Sequence, residues 1–474
     1  RRIPLAELWR LCGLELRRMI AAKEVKPSEI MAVILARIEK LNPKLNAFCT
    51  ITQDSAMAEA RQADKKIFKE KGEGLLFGLP VSIKDLVFTK GIRTTFASKM
   101  HENFIPDQDE VVVERLKAAG AIIIGKTNSC EYGYKAVTDS LLWGITRNPW
   151  NLEMTPAGSS GGAGAAVASG MGPLAVGSDG GGSIRAPASF CGIFGLKPSR
   201  GRIPIYPLLP GWETLDRRVA HHGPLTRTVA DAAMMMEVMA GPHDWDPLSL
   251  PGGKLNYREE MKKGVRGLRI AWSKDLGHVV VDPVVREAAE GAVRVFSKMG
   301  CEVEEATPDF PLMHDAYQLL FAADCAGAIG GQLEEWKDRL DPGLVRLTEI
   351  GLKATAVNYV CAVNRCHMLW ERLQPFFAKY DLLLTPTLPL PPFPVGIDWP
   401  REVAGQKVHP LNYLGFTYPF NLTGQPAASL PCAWTADGLP IGLQIIGRRF
   451  EDLTVLRAAA AFEEARPWKD KWPY

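Results

Sequence analysis

The chain of 474 residues predicts an α/β fold, a central sheet covered by helices on both faces. Three observations carry that expectation. Short apolar runs suited to buried strands alternate with helical apolar spacing along most of the length. Apolar residues make up 46% and charged residues 23%, the balance of a globular protein with a sizeable core. No internal repeat or linker-like stretch separates the strands into groups, so one domain is expected, with residues 1–70 as a helical segment packed on 71–474.

Taken in order, residues 1–70 read as three helices. "SEIMAVILARIEKL" from Ser28 has helical apolar spacing, and residues 54–71 make a polar helix. "GLPVSIKDLV" from Gly78 is a buried strand in which Lys84 stands among Val81, Ile83, Leu86 and Val87. "DEVVVERLKAAG" is a helix closed by Gly120, and "AIIIGKT" is a second apolar strand. Helix "AAVASG", strand "PLAVGSD", helix "TVADAAMMMEVMAG", strand "LRIAWS" and helix "PVVREAAEGAVRVFSKMG" follow. The region from about 242 to 265 is loop-rich, then strands return at "DLLLTP", "AASLPC" and "IGLQIIG", before a last helix, "EDLTVLRAAAAFEEA".

Composition removes several function classes. Net charge is +3, from 56 basic and 53 acidic side chains with no basic arm, so no nucleic-acid partner is expected. Nine cysteines without a CxxC pattern suggest neither a disulfide framework nor a zinc knuckle, and read as free thiols in a reducing compartment. No apolar run approaches the roughly 20 residues of a membrane span, and the amphipathic start lacks a signal-peptide core. The expectation is a cytoplasmic protein, monomer or homodimer, without metal or cofactor.

Two motif matches fail on context. "GAIIIGKT", Gly120 to Thr127, fits the phosphate-loop pattern. That loop needs free N–H groups between its glycines, whereas Ala-Ile-Ile-Ile belongs in a sheet ladder. "GSSGG", Gly158 to Gly162, fits a nucleophile elbow centred on Ser160. An elbow must follow a strand, but "RNPWNLEMTPA" reads as loop. Of His221, His222, His243, His278, His314, His367 and His409, none stands at a persuasive strand end.

A sharper pattern combines Lys84 in its apolar strand, the paired serines of "AGSSGG", and "GSDGGGSIR" from Gly177. The stretch "AGSSGGAGAAVASGMGPLAVGSDGGGSIRAPASFCGIFGLKP" closely resembles the amidase signature family. "NPKLNAF", "GLPVSIKD", "GPLTRTVADAA", "LLLTPT" and "FNLTGQPAASLPC" also resemble its landmarks, so the similarity covers essentially the whole chain. It implies a mixed, twisted central β-sheet surrounded by many α-helices, with 71–474 as the catalytic domain. It also implies a Ser-Ser-Lys triad, with Ser183 as nucleophile, Ser159 as the bridging serine after a cis peptide bond, and Lys84 as base.

The chemistry is coherent. A serine hydroxyl needs a neighbour that removes its proton, and a lysine serves only when neutral. Burial among apolar groups lowers its pKa; a fall of about 3 units is worth about 4 kcal/mol. Asp85 would oppose that fall, but strand alternation turns it to the other face. The resemblance assigns the N–H groups of Gly180, Gly181, Gly182 and Ser183 to an oxyanion hole, where glycine lets substrate approach the backbone. Gly180 stands where relatives often carry Thr or Ile. Gly133 matches a carbonyl beside substrate, Ser160 a supporting partner of the lysine, and Asp179 with Arg185 an ion pair beneath the loop. Cys191 reads as core, and Arg200 and Arg202 lie on a following loop, where Arg202 is a candidate substrate contact.

The reaction class implied is cleavage of an amide C–N bond. Glutaminase subunits of tRNA-dependent amidotransferases, the alternative in the family, carry an acidic residue just before their "FT.P.NLAG" segment. Here "NYLGFTYPFNLTG" offers Tyr413, Leu414 and Gly415 instead. "IPIYPLLPGW" (203–212) and "AYQLLFAADCAGAIGG" (316–331) read as apolar, aromatic loops near the site. They favour a small-molecule substrate, a hydrophobic or aryl amide or a carbamate (urethane), as in the family's aryl acylamidases, nylon-oligomer hydrolases and urethane-cleaving enzymes.

Overall fold

Eleven strands form one mixed sheet, and the signature residues hang from the carboxyl ends of its parallel interior strands. The computed structural model describes residues 4–69, 74–212, 219–251, 255–309 and 311–474. The strands are β1 (Phe48–Ile51), β2 (Pro80–Lys84), β3 (Ile122–Thr127), β4 (Leu174–Ser178), β5 (Phe194–Lys197), β6 (His222–Thr226), β7 (Arg269–Trp272), β8 (Glu302–Glu305), β9 (Leu382–Pro386), β10 (Ala427–Trp434) and β11 (Pro440–Gly447). Their order across the sheet is β1-β3-β2-β4-β6-β5-β10-β11-β9-β7-β8.

β2 lies between β3 and β4 and runs parallel to both, and every residue of β2 is buried. Such a strand is covered on both faces, which is why its sequence is apolar on both sides of the alternation. β4 then pairs antiparallel with β6, and antiparallel pairing continues through β5, β10 and β11 to β9, after which β9, β7 and β8 are parallel again.

Most expected elements are present. The helices include α1 (Gly13–Ala21), α2 (Pro27–Leu45), α3 (Gln53–Lys69), α4 (Val111–Ala118), α5 (Gly161–Ala168), α6 (Arg185–Cys191), α7 (Val229–Met239), α8 (Pro283–Lys298), α9 (His314–Ile329), α10 (Pro342–Lys353), α11 (Ala356–Lys379), α12 (Pro419–Thr423) and α13 (Asp452–Ala465). The last residues of the expected polar helix, 70 and 71, lie outside the described residues, as do 252–254 within the expected loop.

Three differences have physical causes. Residues 48–51 form an edge strand, too short to show a period, paired antiparallel with β3. The strands 194–197 and 222–226 contain Gly and Pro, which hid their pattern. The stretch 316–331, expected as loop, is mostly helix α9: its apolar residues face all round because α9 is packed between α10 and α11. Residues 203–212 are loop as expected. No helix among the described residues is long and apolar enough to cross a membrane.

Among the ties between the N-terminal helices and the core is a long-range cap. Asp231, buried in α7, accepts from the N–H groups of Gly13 and Leu14 at 2.8 Å each. These are among the orphan donors at the start of α1. Asp231→Ala leaves the buried Gly13 donor and the half-buried Leu14 donor unpaired and is expected to destabilise the chain by about 1–3 kcal/mol. Urea denaturation of the two proteins measures that difference.

Candidate active site

Lys84 is the last residue of β2 and Ser178 the last of β4, so two adjacent parallel strands deliver both side chains to the same end of the sheet. That end is where α/β sheets place their ligands. The Lys84 ammonium is fully buried and donates to Ser159 Oγ at 2.7 Å, Ser178 Oγ at 3.0 Å and Ser178 O at 3.4 Å. Burial pulls its pKa down to about 7, against a smaller upward pull from Cys130 and Asp179. Asp85, the first residue of the turn after β2, is engaged elsewhere and accepts from the Thr95 N–H and hydroxyl and from Ala97 N.

The peptide bond between Gly158 and Ser159 is cis. A Cβ at Gly158 would lie 2.4 Å from the backbone of Val137, so the chain fits there only as glycine. Ser160 departs from its expected role. Its hydroxyl donates to Ser178 O at 3.1 Å and accepts from Ser178 N, so it braces Ser178, and Ser178 rather than Ser160 bonds the lysine. Ser160 is also completely buried, and the residues before it form no named strand, which removes the elbow. The phosphate-loop match is removed too: Ile122–Thr127 is β3, and the buried Lys126 bonds Thr89 and Thr94.

Ser183 lies in the loop after β4, two residues before α6 begins, and lines a cavity of about 340 Å³ together with Gly180, Gly181 and Gly133. The carboxylate beneath this loop organises it. Asp179 accepts from Arg185 Nε at 3.0 Å and Nη2 at 2.9 Å, from Asn421 Nδ2 at 2.8 Å, and from the N–H groups of Gly182 at 2.7 Å and Ile184 at 3.1 Å. Burial alone would raise its pKa, but Arg185 holds the carboxyl well below its ordinary value.

The Gly182 N–H is thus engaged by Asp179, which takes it out of the four donors assigned from sequence. The N–H groups of Gly180, Gly181 and Ser183 meet no protein acceptor among the described residues. A Cβ at 181 would sit 2.2 Å from Tyr317 Oη and force that hydroxyl to move, and at 182 a φ of +138° favours glycine. At Gly180 the nearest atom to a Cβ is Val219 Cγ2 at 3.9 Å, so that position has room for the larger residues of relatives.

Two further expectations resolve differently. Arg202 does not line the cavity; its guanidinium pairs with Asp452, the first residue of α13, at 3.2 Å. Arg200 donates to the carbonyls of Asn421 and Leu422. Cys191 is buried, as expected of core. Sequence reasoning passed over Ser178, although its place at the end of "PLAVGS" was a usable signal, and Tyr317, Thr417 and Asn421, for which no local signal existed. The cavity walls come from α9, α10, residues 133–136, residues 398–399 and the segment before α12, with Phe321, Leu347, Ile350 and Leu414 as apolar contributors and Lys135, Arg346 and Asp398 as charged ones. Among the described residues, no group of three His, Cys, Asp or Glu is placed to hold a metal ion.

A buried lysine with a lowered pKa, hydrogen-bonded to Ser159 and Ser178 and set beside a loop that carries Ser183 and N–H groups without a protein acceptor among the described residues, suits the hydrolysis of acyl compounds. Similarity to known proteins agrees with that class. A family model described as Amidase matches residues 29–456, and the chain belongs to this family. It is 39% identical over 475 residues to an acylamidase of Rhodococcus erythropolis, covering 98% of this chain and 97% of that one. It is 37% identical over 484 residues to one component of the glutamyl-tRNA(Gln) amidotransferase of Geobacillus kaustophilus (strain HTA426), covering 97% and 98%. The solved structure of a bacterial aryl acylamidase of the amidase signature family superposes with a TM-score of 0.91 at 30% identity, covering 97% of this chain and 96% of that one. The protein is therefore an enzyme of the amidase signature family that acts on the C–N bonds of amides.

Gly133 gives a direct test of the geometry. Its φ is +70°, and a Cβ there would sit 2.8 Å from Leu86 Cδ1 and 3.1 Å from Ser159 Oγ. Gly133→Ala should displace Ser159 and lower kcat for an amide substrate at least about tenfold. Steady-state kinetics measures this, with circular dichroism to verify that the fold is kept.

Proposed function

We propose that this chain is a serine hydrolase that cleaves hydrophobic or aryl amides, and carbamates or esters of similar shape, through an acyl-enzyme. The observation that carries the reading is the buried Lys84 beside Ser159, with a pKa lowered to about 7. A lysine that is substantially neutral at physiological pH accepts a proton from Ser159 while Ser159 takes one from Ser183. Ser183 Oγ then attacks the substrate carbonyl, and the electron pair of the C=O bond moves onto oxygen. The N–H groups of Gly180, Gly181 and Ser183 receive that oxyanion.

Collapse of the tetrahedral intermediate breaks the C–N bond, and the proton held by Lys84 returns through Ser159 to the leaving nitrogen. Water repeats the sequence on the acyl-enzyme, releasing the acid and restoring Ser183. Asp179 and Arg185 act beneath the loop as a positioning pair. Phe321, Leu347, Ile350 and Leu414 supply the apolar surface that a hydrophobic or aryl group needs.

A second reading, glutamine hydrolysis as the glutaminase component of a tRNA-dependent amidotransferase, has the similarity to such a component behind it. Against it, the stretch where the resemblance implies a carboxylate carries Tyr413, Leu414 and Gly415, of which Tyr413 is buried and donates to Ala136 O at 3.2 Å. We further propose a single-domain, cytoplasmic enzyme that works as a monomer or homodimer without a nucleic-acid partner.

A panel of anilide, ester, primary-amide and carbamate substrates tests the reading on the purified chain. Turnover of anilides by the isolated protein is expected, whereas cleavage of glutamine alone, and only with added partner proteins, would select the second reading. Ser183→Ala should abolish turnover, and a fluorophosphonate should label Ser183; labelling at Ser160 would refute the nucleophile assignment.

The pH dependence has a defined sign. Below about pH 7 the lysine is protonated and cannot serve as base, so kcat/KM should fall about tenfold per pH unit on the acid side. Above about pH 7 it should level off. A rate that is flat from pH 5 to 8 would contradict the role of Lys84.

A further inference from the structure

The N–H groups of Gly180, Gly181 and Ser183 are aimed by the carbonyls of their own peptide units. A trans peptide is planar, so its C=O and N–H point in opposite directions. Anchoring one fixes the other. The Asp179 carbonyl, in the unit that carries the Gly180 N–H, accepts from His221 N at 3.1 Å and Asn421 Nδ2 at 2.9 Å. The Gly182 carbonyl, paired with the Ser183 N–H, accepts from Ala186 N at 2.7 Å in the first turn of α6.

The central unit is held differently. The Gly180 carbonyl, paired with the Gly181 N–H, accepts from the hydroxyl of Tyr317 at 3.1 Å, the partner the structure gives it. Tyr317 comes from α9, far along the chain from the signature loop, and its ring lines the substrate cavity with Phe321. It is buried and packs on Tyr418 at 4.8 Å between ring centroids, so the hydroxyl has a defined position. The remaining carbonyl of the loop, that of Gly181, accepts from Thr417 Oγ1 at 2.6 Å, but its unit carries the Gly182 N–H already given to Asp179.

We propose that Tyr317 is a positioning residue that aims the Gly181 N–H at the oxyanion of the tetrahedral intermediate. The inference rests on the reading of Ser183 as nucleophile. It makes one wall of the substrate cavity part of the device that stabilises the transition state. A substrate group that presses on the Tyr317 ring therefore acts on kcat as well as on binding.

Tyr317→Phe keeps the ring and removes the hydroxyl. Outright loss of an oxyanion donor lowers kcat by about 10²–10³, and a donor that remains but is poorly aimed should lower it about tenfold. KM should stay within about twofold, and the acid limb of the pH profile should stay near pH 7, because Lys84 and Ser159 are untouched. Inhibition by phenyl trifluoromethyl ketone, which adds to a serine as a tetrahedral oxyanion, should weaken by about the same factor as kcat.

Thr417→Val is the control. It also deletes a hydroxyl bonded to a carbonyl of this loop, but on the unit whose N–H is committed to Asp179, so its effect on kcat and on the ketone should be clearly smaller. Equal losses in the two variants would mean general loosening and would overturn the proposal. So would a change confined to KM, or an unchanged kcat in Tyr317→Phe. Fluorophosphonate labelling of wild type separates the two levels: without labelled Ser183 the nucleophile reading itself fails, whereas labelled Ser183 with an unaffected Tyr317→Phe refutes the positioning role alone.

Discussion

The site depends on one carboxylate held out of water. Asp179 is fully buried, yet its oxygens are filled by Arg185, Asn421 and the N–H groups of Gly182 and Ile184. Removing either charged partner from such a pair typically costs about 3–5 kcal/mol, because the other is left uncompensated. Arg185 extends the constraint, donating to Gln444 Oε1 at 2.8 Å and Thr417 O at 2.9 Å. The loop that carries Ser183 is thereby fastened to β11 and to the segment before α12. Donors fixed in this way need little reorganisation when charge develops.

The same carboxylate acts on the lysine. Asp179 and Cys130 pull the Lys84 pKa upward, but burial outweighs them and brings it down to about 7. Another buried lysine, Lys197, is held low by burial and by repulsion from Arg185, while its ammonium bonds the carbonyls of Gln425 and Pro198. The two halves of the site are therefore coupled. The carboxylate that shapes the loop also acts on the pKa of the buried base, against the burial that lowers it.

What the sequence revealed follows the range of the interactions involved. Lys84, Ser159, Ser183 and the glycines sit in continuous stretches because each works through its own backbone or strand position. A buried strand ending in lysine and a glycine run after a strand are local patterns. The role first given to Ser160 was a near miss within the same patch: two serines, 160 and 178, bond each other, and which one reaches Lys84 is decided by strand register. The Gly182 N–H was lost from the donors for a reason no spacing reports, since its acceptor is the side chain three residues earlier. Arg202 could not be placed because its partner, Asp452, is 250 residues away.

The cavity obeys a different rule. Its walls come largely from α9, α10 and the segment before α12, elements brought to Ser183 by packing over long sequence separations. An all-round apolar stretch such as 316–331 reads as loop or core until its neighbours are known, and here α10 and α11 are those neighbours. Such walls can change residue by residue without touching the loop that Asp179 fixes. A family can accordingly keep one reaction while its members are named for different tasks, as are the acylamidase and the amidotransferase component that resemble this chain to a similar degree. The contacts from wall to loop set the limit on that freedom. Tyr317 reaches the Gly180 carbonyl and Thr417 the Gly181 carbonyl, so a wall free to vary elsewhere is constrained where it supports the backbone that faces the substrate.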